Sequence, residues 1–577
     1  MMVVPRWCYG RHDGWASLVD RWLGADAEFA AKSIKGRANR GADGTHGQGN
    51  RNHWSFKAMK EDKLKRPLSD MESWKLARER SRRKEGESQA CDAKPDRATE
   101  LSMENLVQEL MLETPPRAWF LFLLPLLLLS LHHWFTRKTG STGQRLPPSP
   151  PALPIIGHLH LVGALPHVSL RSLARKYGPD VMLLRLGAVR TPAVSSPRAA
   201  EEVLRTNDHV LASRPPSVVP DIIMYGSSDI AFASYGEYWR QARKLVTTHM
   251  LSVKKVQSFR SAAMEEVSMA IAKINEAATA GSTVDMSELL NSFSNDMACR
   301  IVSGKFFLKD GRSKLFRELI NDSSRLLGGF NMEEYFPALG RVGVLKRAVC
   351  AKAKRREYDL TREHMKALLT DVFFGATDTS ANVLEFTLAE LMRRPHFMGK
   401  LQDEVRSIVP RGQEIVSETE LNNMVYLRAV IKESLRLYPI APLLAPHLAM
   451  ANCTIDGYMV PAGTRVVVNA WAIARDSSSW EDAEEFIPER FTDEGSARNV
   501  NFRGNDFQFL PFGAGRRICP GINLGIANVE LMLANIVNHF DWELLIGVER
   551  KDIDMTEVFG ISIRRKEKLL LIPKSHI

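Results

Sequence analysis

The sequence has few cysteines, and none is spaced for a zinc module or a disulfide framework. The six are scattered without a CxxC pair: Cys8, Cys91, Cys299, Cys350, Cys453 and Cys519. This pattern favours a reducing compartment for the bulk of the chain. The sequence also lacks internal repeats and any basic patch interleaved with aromatic residues, so we predict no nucleic-acid partner.

Positive charge is unevenly distributed along the 577 residues. The net charge is +11, and more than half of that surplus lies in residues 1–100. A modest basic surplus suits an acidic protein partner or an anionic membrane surface. With 44% hydrophobic and 25% charged residues, most of the chain has the composition of a globular protein and is expected to fold.

The sequence of residues 1–158 divides into three segments of different composition. Residues 1–102 are polar without an apolar period, which indicates a disordered or spurious extension, with a chloroplast transit peptide as the competing interpretation. The apolar run AWFLFLLPLLLLSLHHWF (118–135) predicts a membrane anchor over 103–138, with a buried core helix as the alternative. Residues 139–158 are proline-rich and predict a stiff linker. We expect the working protein to start at Met103.

Residues 159–577 are predicted to form one large catalytic domain. Apolar residues recur at helical spacing in most of it, and fewer segments alternate as strands do, so the fold class is mainly α with smaller β-sheets (α+β). The predicted helices include residues 198–208, 237–250, 264–278 and 361–394. The predicted strands are a pair at 181–187 and 191–196, and strands around a Pro-Ala-Gly turn within 458–473.

The sharpest chemical signal is FLPFGAGRRICPG (509–521). Gly513 and Gly515 precede Cys519, and Gly521 follows it. Glycines permit a tight turn whose backbone N–H groups converge on one sulfur, and such donors tune an iron bound to a thiolate. Taken alone, a buried cysteine in a glycine-rich turn is the simpler interpretation.

The complete motif resembles the F-G-x-G-x-R-x-C-x-G signature of the cytochrome P450 family, position for position, at Phe512, Gly513, Gly515, Arg517, Cys519 and Gly521. The resemblance implies the cytochrome P450 fold and makes Cys519 the axial ligand to the iron of haem b. Phe512, Gly513 and Arg517 become cofactor contacts. The likeness extends from about residue 106 to the C-terminus, and the ending EVFGISIRRKEKLLLIP is most similar to plant microsomal members.

Further segments resemble other landmarks of the family. Glu433 and Arg436 in KESLRLYP, with Arg490 in FIPERF, match a structural Glu-Arg-Arg cluster. Trp239 and Arg243 in YWRQARK lie four residues apart, on one helical face, and could reach one haem propionate.

His447 in APLLAPHLAM is a further candidate for a propionate contact. FFGATDTS (373–380) resembles the oxygen-activating helix, in which Asp378 and Thr379 match the acid-alcohol pair that relays protons for O–O cleavage. The alternative for a mid-helix threonine is a hydrogen bond to the backbone one turn back. Ala376 departs from the family, which usually has glycine there.

The interval between Trp239 and Thr379 is shorter than in the family. Basic sequence runs almost directly into the oxygen-activating helix, so we predict an internal deletion near 352–360 that removes a helix and a loop. One alternative function is therefore an inactive or unstable haem-binding product. Another is a haem-thiolate isomerase or dehydratase, which the presence of both Asp378 and Thr379 disfavours.

The resemblance implies a monooxygenase that inserts one atom of O2 into a small lipophilic specialised metabolite of the terpenoid or phenolic class. Its expected electron donor is an NADPH-dependent cytochrome reductase. The expected location is the endoplasmic reticulum membrane, with a single span and a cytosolic catalytic domain. Three apolar segments, 220–232, 439–446 and 558–562, are predicted to line the substrate pocket.

Overall fold

The computed structural model describes residues 123–127, 129–130, 145–303, 312–329, 332–336 and 362–576. The chain divides into two compact units, one of residues 20–133 and one of residues 1–19 together with 134–577. In the first unit, residues 123–127 and 129–130 are helical.

Most of the predicted anchor over 103–138, the extension over 1–102 and the predicted deletion near 352–360 lie outside the described residues. Among the residues that are described, no helix combines the length and the apolar character needed to cross a bilayer.

Helices dominate the second unit, as the sequence predicted. Several begin with a proline in the first turn, where its missing N–H costs no hydrogen bond. Their bounds are α1 Pro166–Tyr177, α2 Pro197–Glu201, α3 Asp208–Leu211, α4 Val218–Ile223, α5 Glu237–His249, α6 Val253–Ser258, α7 Arg260–Thr279, α8 Met286–Ser303, α9 Arg312–Gly328, α10 Met332–Tyr335, α11 Arg362–Arg393, α12 Pro395–Ile408, α13 Glu418–Asn423, α14 Val425–Leu437, α15 Ala470–Ile473 and α16 Ile522–His539.

The strands form small sheets. Their bounds are β1 Val181–Leu186, β2 Val189–Val194, β3 Val284–Asp285, β4 His447–Leu448, β5 Cys453–Ile455, β6 Tyr458–Val460, β7 Arg465–Val468, β8 Phe540–Glu543, β9 Glu557–Val558, β10 Arg564–Arg565 and β11 Leu570–Ser575. The largest sheet has the order β1-β2-β7-β4, in which β2 and β7 are parallel.

The predicted strand pair at 181–187 and 191–196 is confirmed as the antiparallel hairpin of β1 and β2. Strands also flank the predicted Pro-Ala-Gly turn, but they do not pair with each other. β6 pairs with β5, whereas β7 joins the largest sheet, and residues 470–473 continue as helix α15.

The core surrounds α11, the longest described helix. The main hydrophobic cluster joins it to α7, α8, α14 and α16 through buried aliphatic and aromatic side chains such as Phe386, Leu384 and Leu533. Residues 381–390 of α11 are buried without exception, so other elements cover this C-terminal part of the helix on all sides.

The described part of the predicted linker, residues 145–158, is bonded to the domain. The Leu183 N–H donates to the Pro148 carbonyl at 2.8 Å, and the His158 N–H donates to the Arg185 carbonyl at 2.7 Å. His158 is itself buried and contacts the Pro150 carbonyl at 2.8 Å. This stretch thus packs along β1 and does not stand apart from the domain as a spacer.

Candidate functional site

The loop 509–521 wraps around Cys519. The Cys519 N–H donates to the Phe512 carbonyl at 3.0 Å, and the Gly521 N–H donates to the Cys519 sulfur at 3.4 Å. Helix α16 begins directly after the loop, at Ile522. The sulfur therefore lies near a helix N-terminus, where the helix dipole favours a negative charge.

Two glycines give the loop its shape. Gly513 and Gly515 have φ values of +66° and +68°, in the left-handed region that favours glycine. At Gly515 a Cβ atom would lie 2.2 Å from the Leu204 carbonyl oxygen and 2.9 Å from the Asp208 carboxyl carbon. Asp208 also accepts hydrogen bonds from the Arg516 backbone at 3.0 Å and its guanidinium at 2.9 Å, which fixes the loop from outside.

Opposing effects act on the Cys519 sulfur. Burial raises the pKa of the thiol above its ordinary value, while the Gly521 N–H and the positive charge of Arg243 lower the pKa. A metal ion that binds this sulfur replaces its proton, and the same N–H and positive charge then stabilise the thiolate.

Two arginines lie over the ring of Trp239 beside the cysteine loop, and a third, Arg214, is close enough to both for their charges to interact. The Arg517 guanidinium lies 4.2 Å from the ring centroid of Trp239, and that of Arg243 lies 5.4 Å from it. Arg243 also donates to the carbonyl of Ile518, which precedes the cysteine. Arg214, which the sequence did not single out, is the third member.

The three guanidinium groups carry their charge without a paired anion. They donate to backbone carbonyls, and no carboxylate among the described residues forms a salt bridge with any of them, whereas the neighbouring Arg516 pairs with Asp208. Burial, with the mutual repulsion of the arginines, lowers the pKa of Arg517 to about 8, and burial lowers the pKa of Arg214 to about 10. Such a cluster favours binding of a buried anion.

The segment 229–233 supplies the carbonyls for this cluster. Trp239 and Arg517 donate to Ile230 at 2.9 and 3.1 Å, Arg517 donates to Ala233 at 2.6 Å, and Arg214 donates to Ala231 at 2.9 Å. The other hydrogen-bonding side of the segment faces α11. There the Ile230 and Ala231 N–H groups both donate to one carboxylate oxygen of Asp371, at 3.0 and 3.1 Å.

Two neighbouring carboxyl groups lie at this junction: that of Asp229, which is fully buried, and that of Asp371, which is half-buried. Burial raises the pKa of Asp371 to about 6, against its two backbone hydrogen bonds. Burial, together with the charge of Asp371, raises the pKa of Asp229 as well. Sequence reasoning did not identify Asp371, although it lies in the helix predicted over 361–394 and its partners lie at the end of the predicted pocket segment 220–232.

His447 lies at the edge of the same cluster, in β4. It is buried, and its Nδ1 contacts the Leu211 carbonyl at 2.8 Å. Burial and the charge of Arg214 lower the pKa of His447 to about 3, so the ring is neutral here. A neutral ring that donates from Nδ1 offers only an acceptor at Nε2. In this state His447 cannot donate a hydrogen bond to an anion through Nε2.

The middle of α11 is accessible at one point. Gly375 is exposed, and it is the only exposed residue of this helix between residues 366 and 393, all of which the structure describes. The Thr379 hydroxyl donates to the Gly375 carbonyl at 2.6 Å, which is the bond one turn back that was the alternative at this position. The partly accessible Thr379 therefore borders the same opening as Gly375, next to Ala376.

Asp378 faces away from solvent and is linked through Ser562 to helix α9. It is buried, and the Ser562 hydroxyl donates to its carboxylate. Ser562 in turn contacts the Ser324 hydroxyl of α9 at 3.0 Å. Burial raises the pKa of Asp378, against the hydrogen bond from Ser562. The sequence did not predict this link between the acid and the segment 558–562.

The predicted Glu-Arg-Arg cluster is confirmed. Arg436 donates to both carboxylate oxygens of Glu433, at 2.8 and 2.7 Å, and to the carbonyls of Ala474 and Ala483. Arg490 completes the cluster 3.4 Å from the Glu433 carboxylate. Glu433 and Arg436 are fully buried, so this cluster braces the interior and does not face the opening at Gly375.

Comparisons with known proteins agree with this geometry. The family model for Cytochrome P450 matches residues 147–344 and 343–572, which together make up most of the chain. The chain belongs to the cytochrome P450 family. This cytochrome P450 is accordingly an oxygen-incorporating oxidoreductase whose family implies a haem iron cofactor.

Similar curated proteins are plant cytochromes P450 and related enzymes. The indole-2-monooxygenase of Zea mays is 52% identical over 469 residues, covering 74% of this chain and 87% of the relative. The 3-hydroxyindolin-2-one monooxygenase of Zea mays is 49% identical over 475 residues, covering 74% and 89%. The costunolide synthase of Cichorium intybus is 40% identical over 480 residues, covering 76% and 95%.

The described residues of this cytochrome P450 fit a haem. Cys519 offers a sulfur with a backbone donor, and the unpaired arginines offer cationic partners for the two carboxylates of the cofactor. Gly375 and Thr379 border an accessible opening in an otherwise buried helix. The structure thus brings Trp239, Arg243 and Arg517 together with Arg214, places His447 at the edge of that cluster, and directs Asp378 and Thr379 to different partners.

Proposed function

We propose that this chain is a haem-thiolate monooxygenase in which Cys519 would ligate the iron of haem b. Arg517, Arg243 and Trp239, joined by Arg214, would hold the propionates, and Phe512 and Gly513 would shape the ligand loop. The observation that carries the proposal is the cluster of buried and partly buried arginines without a paired anion beside a sulfur that accepts a backbone hydrogen bond.

A bound haem iron would supply the activation of dioxygen, with one oxygen atom going to the substrate and the other to water. The residues of α11 would supply the protons. The Thr379 hydroxyl, on the accessible side of α11, would be the last proton donor of the relay. Asp378, whose carboxylate accepts a hydrogen bond from the Ser562 hydroxyl, would replenish it.

Replacing Thr379 by Ala is expected to uncouple the enzyme. Product formed per NADPH consumed should fall by about tenfold or more and hydrogen peroxide should appear, because positioned acid–base groups contribute about 10²–10⁴-fold. Thr377→Ala is the matched control, since the Thr377 hydroxyl makes the same type of bond to Phe373, at 2.8 Å, but is buried. An unchanged ratio in Thr379→Ala, or an equal loss in Thr377→Ala, would contradict the relay.

For the substrate we propose a small planar nitrogen heterocycle of the indole class, in place of the broader terpenoid or phenolic expectation. Two relatives near 50% identity are named for indole and for 3-hydroxyindolin-2-one, whereas the costunolide synthase is more distant. Two of the three predicted pocket segments are also tied to each other, because the Ile563 N–H, just after 558–562, donates to the Ile440 carbonyl of 439–446 at 2.8 Å.

Product analysis tests the substrate class. Microsomes that contain the chain and an NADPH-dependent cytochrome reductase would be given indole, indolin-2-one and 3-hydroxyindolin-2-one beside a terpenoid and phenolic panel. We expect products carrying one added oxygen from the indole group alone. Turnover confined to the terpenoid or phenolic panel would contradict the indole class and leave the monooxygenase assignment intact.

The same proposal includes the reductase as partner and the endoplasmic reticulum membrane as location, with a single span and a cytosolic catalytic domain. Support comes from the apolar run 118–135 and from the likeness to plant members of the family. Alkaline extraction of microsomes separates an integral protein from a peripheral one, and release of the chain by that treatment would contradict the anchor.

A second candidate is an inactive or unstable haem-binding product of an internal deletion. The two stretches that match the family model meet at residues 343 and 344. The alignment of 469 residues with the first relative is also longer than 74% of this chain's 577 residues, so part of the relative's sequence has no counterpart here. A reduced-CO difference spectrum measured together with turnover decides between the two: a thiolate-type band with turnover supports the monooxygenase, whereas a band without turnover, or no haem uptake, supports the inactive or unstable deletion product.

A further inference from the structure

Asp371 connects two parts of the proposed haem site. It lies on α11 about two turns before Asp378. Its side chain faces the segment 229–233, where one carboxylate oxygen accepts the Ile230 and Ala231 N–H groups. The carbonyls of the same segment accept hydrogen bonds from Trp239, Arg517 and Arg214. A contact on the helix thereby determines where those carbonyls lie.

The carbonyls of segment 229–233 accept most of the hydrogen bonds made by Trp239 and Arg517. Within the described part of the chain, the Trp239 indole N–H donates only to Ile230, at 2.9 Å, and two of the three hydrogen bonds of the Arg517 guanidinium go to Ile230 and Ala233. A shift of the segment by even one ångström would break hydrogen bonds of 2.6–3.1 Å to both groups. Buried guanidinium groups that lose their acceptors reorient, because unsatisfied buried donors are costly.

We infer that Asp371 is a positioning residue for the haem-propionate clamp: it anchors segment 229–233 to α11 and thereby orients Arg517, Arg214 and Trp239. This inference rests on the haem site proposed above. It also assigns a role to a half-buried carboxylate that the proton relay does not use. The function of the contact is to accept two N–H groups, so the acceptor oxygen matters and the negative charge does not.

Two substitutions of Asp371 distinguish the role of its hydrogen-bond acceptor from the role of its negative charge. Both N–H groups donate to the same oxygen, so the amide oxygen of Asp371→Asn can replace it, whereas Asp371→Ala removes the acceptor. Glu385→Ala is the matched control. Glu385 is a buried carboxylate on the same helix, bonded to Ser287 at 2.8 Å and Arg565 at 3.3 Å, away from the segment.

The readout is haem release from the full chain to an excess of apomyoglobin, together with the propionate bands of the resonance Raman spectrum and unfolding followed by circular dichroism. We expect Asp371→Ala to release haem about tenfold faster, equivalent to about 1.4 kcal/mol, with shifted propionate bands. Asp371→Asn should stay within about threefold of the wild-type rate, equivalent to under 1 kcal/mol. Glu385→Ala should lower stability to unfolding without changing haem release or the propionate bands.

Several outcomes overturn the inference. They are a wild-type rate in Asp371→Ala, an Asp371→Asn variant that releases haem tenfold faster or fails to load it, and an equal effect in Glu385→Ala. If Asp371→Ala does not fold, a tenfold faster haem release or failed loading in Asp371→Asn still overturns the inference. A wild-type chain without a thiolate-type reduced-CO band contradicts the proposed function and this inference together, whereas a normal band with an unchanged Asp371→Ala contradicts the inference alone.

Discussion

Replacing Cys519 by Ser is expected to abolish the thiolate-type band of the reduced-CO spectrum and to lower turnover at least about a hundredfold. Changes to groups that merely support a metal ligand already cost about 10–100-fold, and this change removes the ligand atom itself. The serine oxygen would still accept the Gly521 N–H, so the loop should keep its shape while its iron chemistry is lost.

Cys453→Ser is the matched control for that experiment. Cys453 is a free, partly buried cysteine in β5, and it lies outside the loop 509–521. We expect this variant to keep the wild-type spectrum and turnover. A Cys519→Ser protein that retains both a normal reduced-CO band and normal turnover would contradict the assignment of the axial ligand.

Replacing Gly515 by Ala is expected to prevent stable haem incorporation. The residue has φ +68°, and a left-handed conformation costs a non-glycine residue about 1–3 kcal/mol. The added methyl would also sit 2.2 Å from the Leu204 carbonyl oxygen, which is backbone and cannot move aside as a side chain can. The loop must therefore shift away from Leu204, and Cys519 shifts with it.

Gly513→Ala separates these two effects. Gly513 has nearly the same φ, +66°, but the nearest atom to an added Cβ is the flexible end of Leu444, at 3.8 Å. We expect Gly513→Ala to load haem with only a modest loss of thermal stability. Measuring the haem-to-protein ratio of both purified variants tests the prediction, and equal ratios would show that the contact with Leu204 does not control the loop.

The sequence predicted the general fold and the ligand loop well. Helical periodicity over 361–394 corresponds to α11, and the pair at 181–187 and 191–196 corresponds to β1 and β2. The loop could be identified because its glycines and its cysteine lie within nine residues of each other, so that their spacing in the sequence is enough to recognise the motif. Strand pairing could not be predicted from local spacing, since β6 and β7 flank one turn yet belong to different sheets.

Sequence alone determined that Cys519, in a glycine-rich loop, is the candidate ligand of an enzyme with an acid and an alcohol in mid-helix. Only the tertiary structure decided what those groups contact: Asp371 holds segment 229–233, Arg214 joins the cluster, and Ser562 bonds Asp378. The physical reason is distance along the chain. Backbone turns and helix faces are set by neighbouring residues, whereas a hydrogen bond between residues 141 or 184 positions apart depends on how the whole core packs.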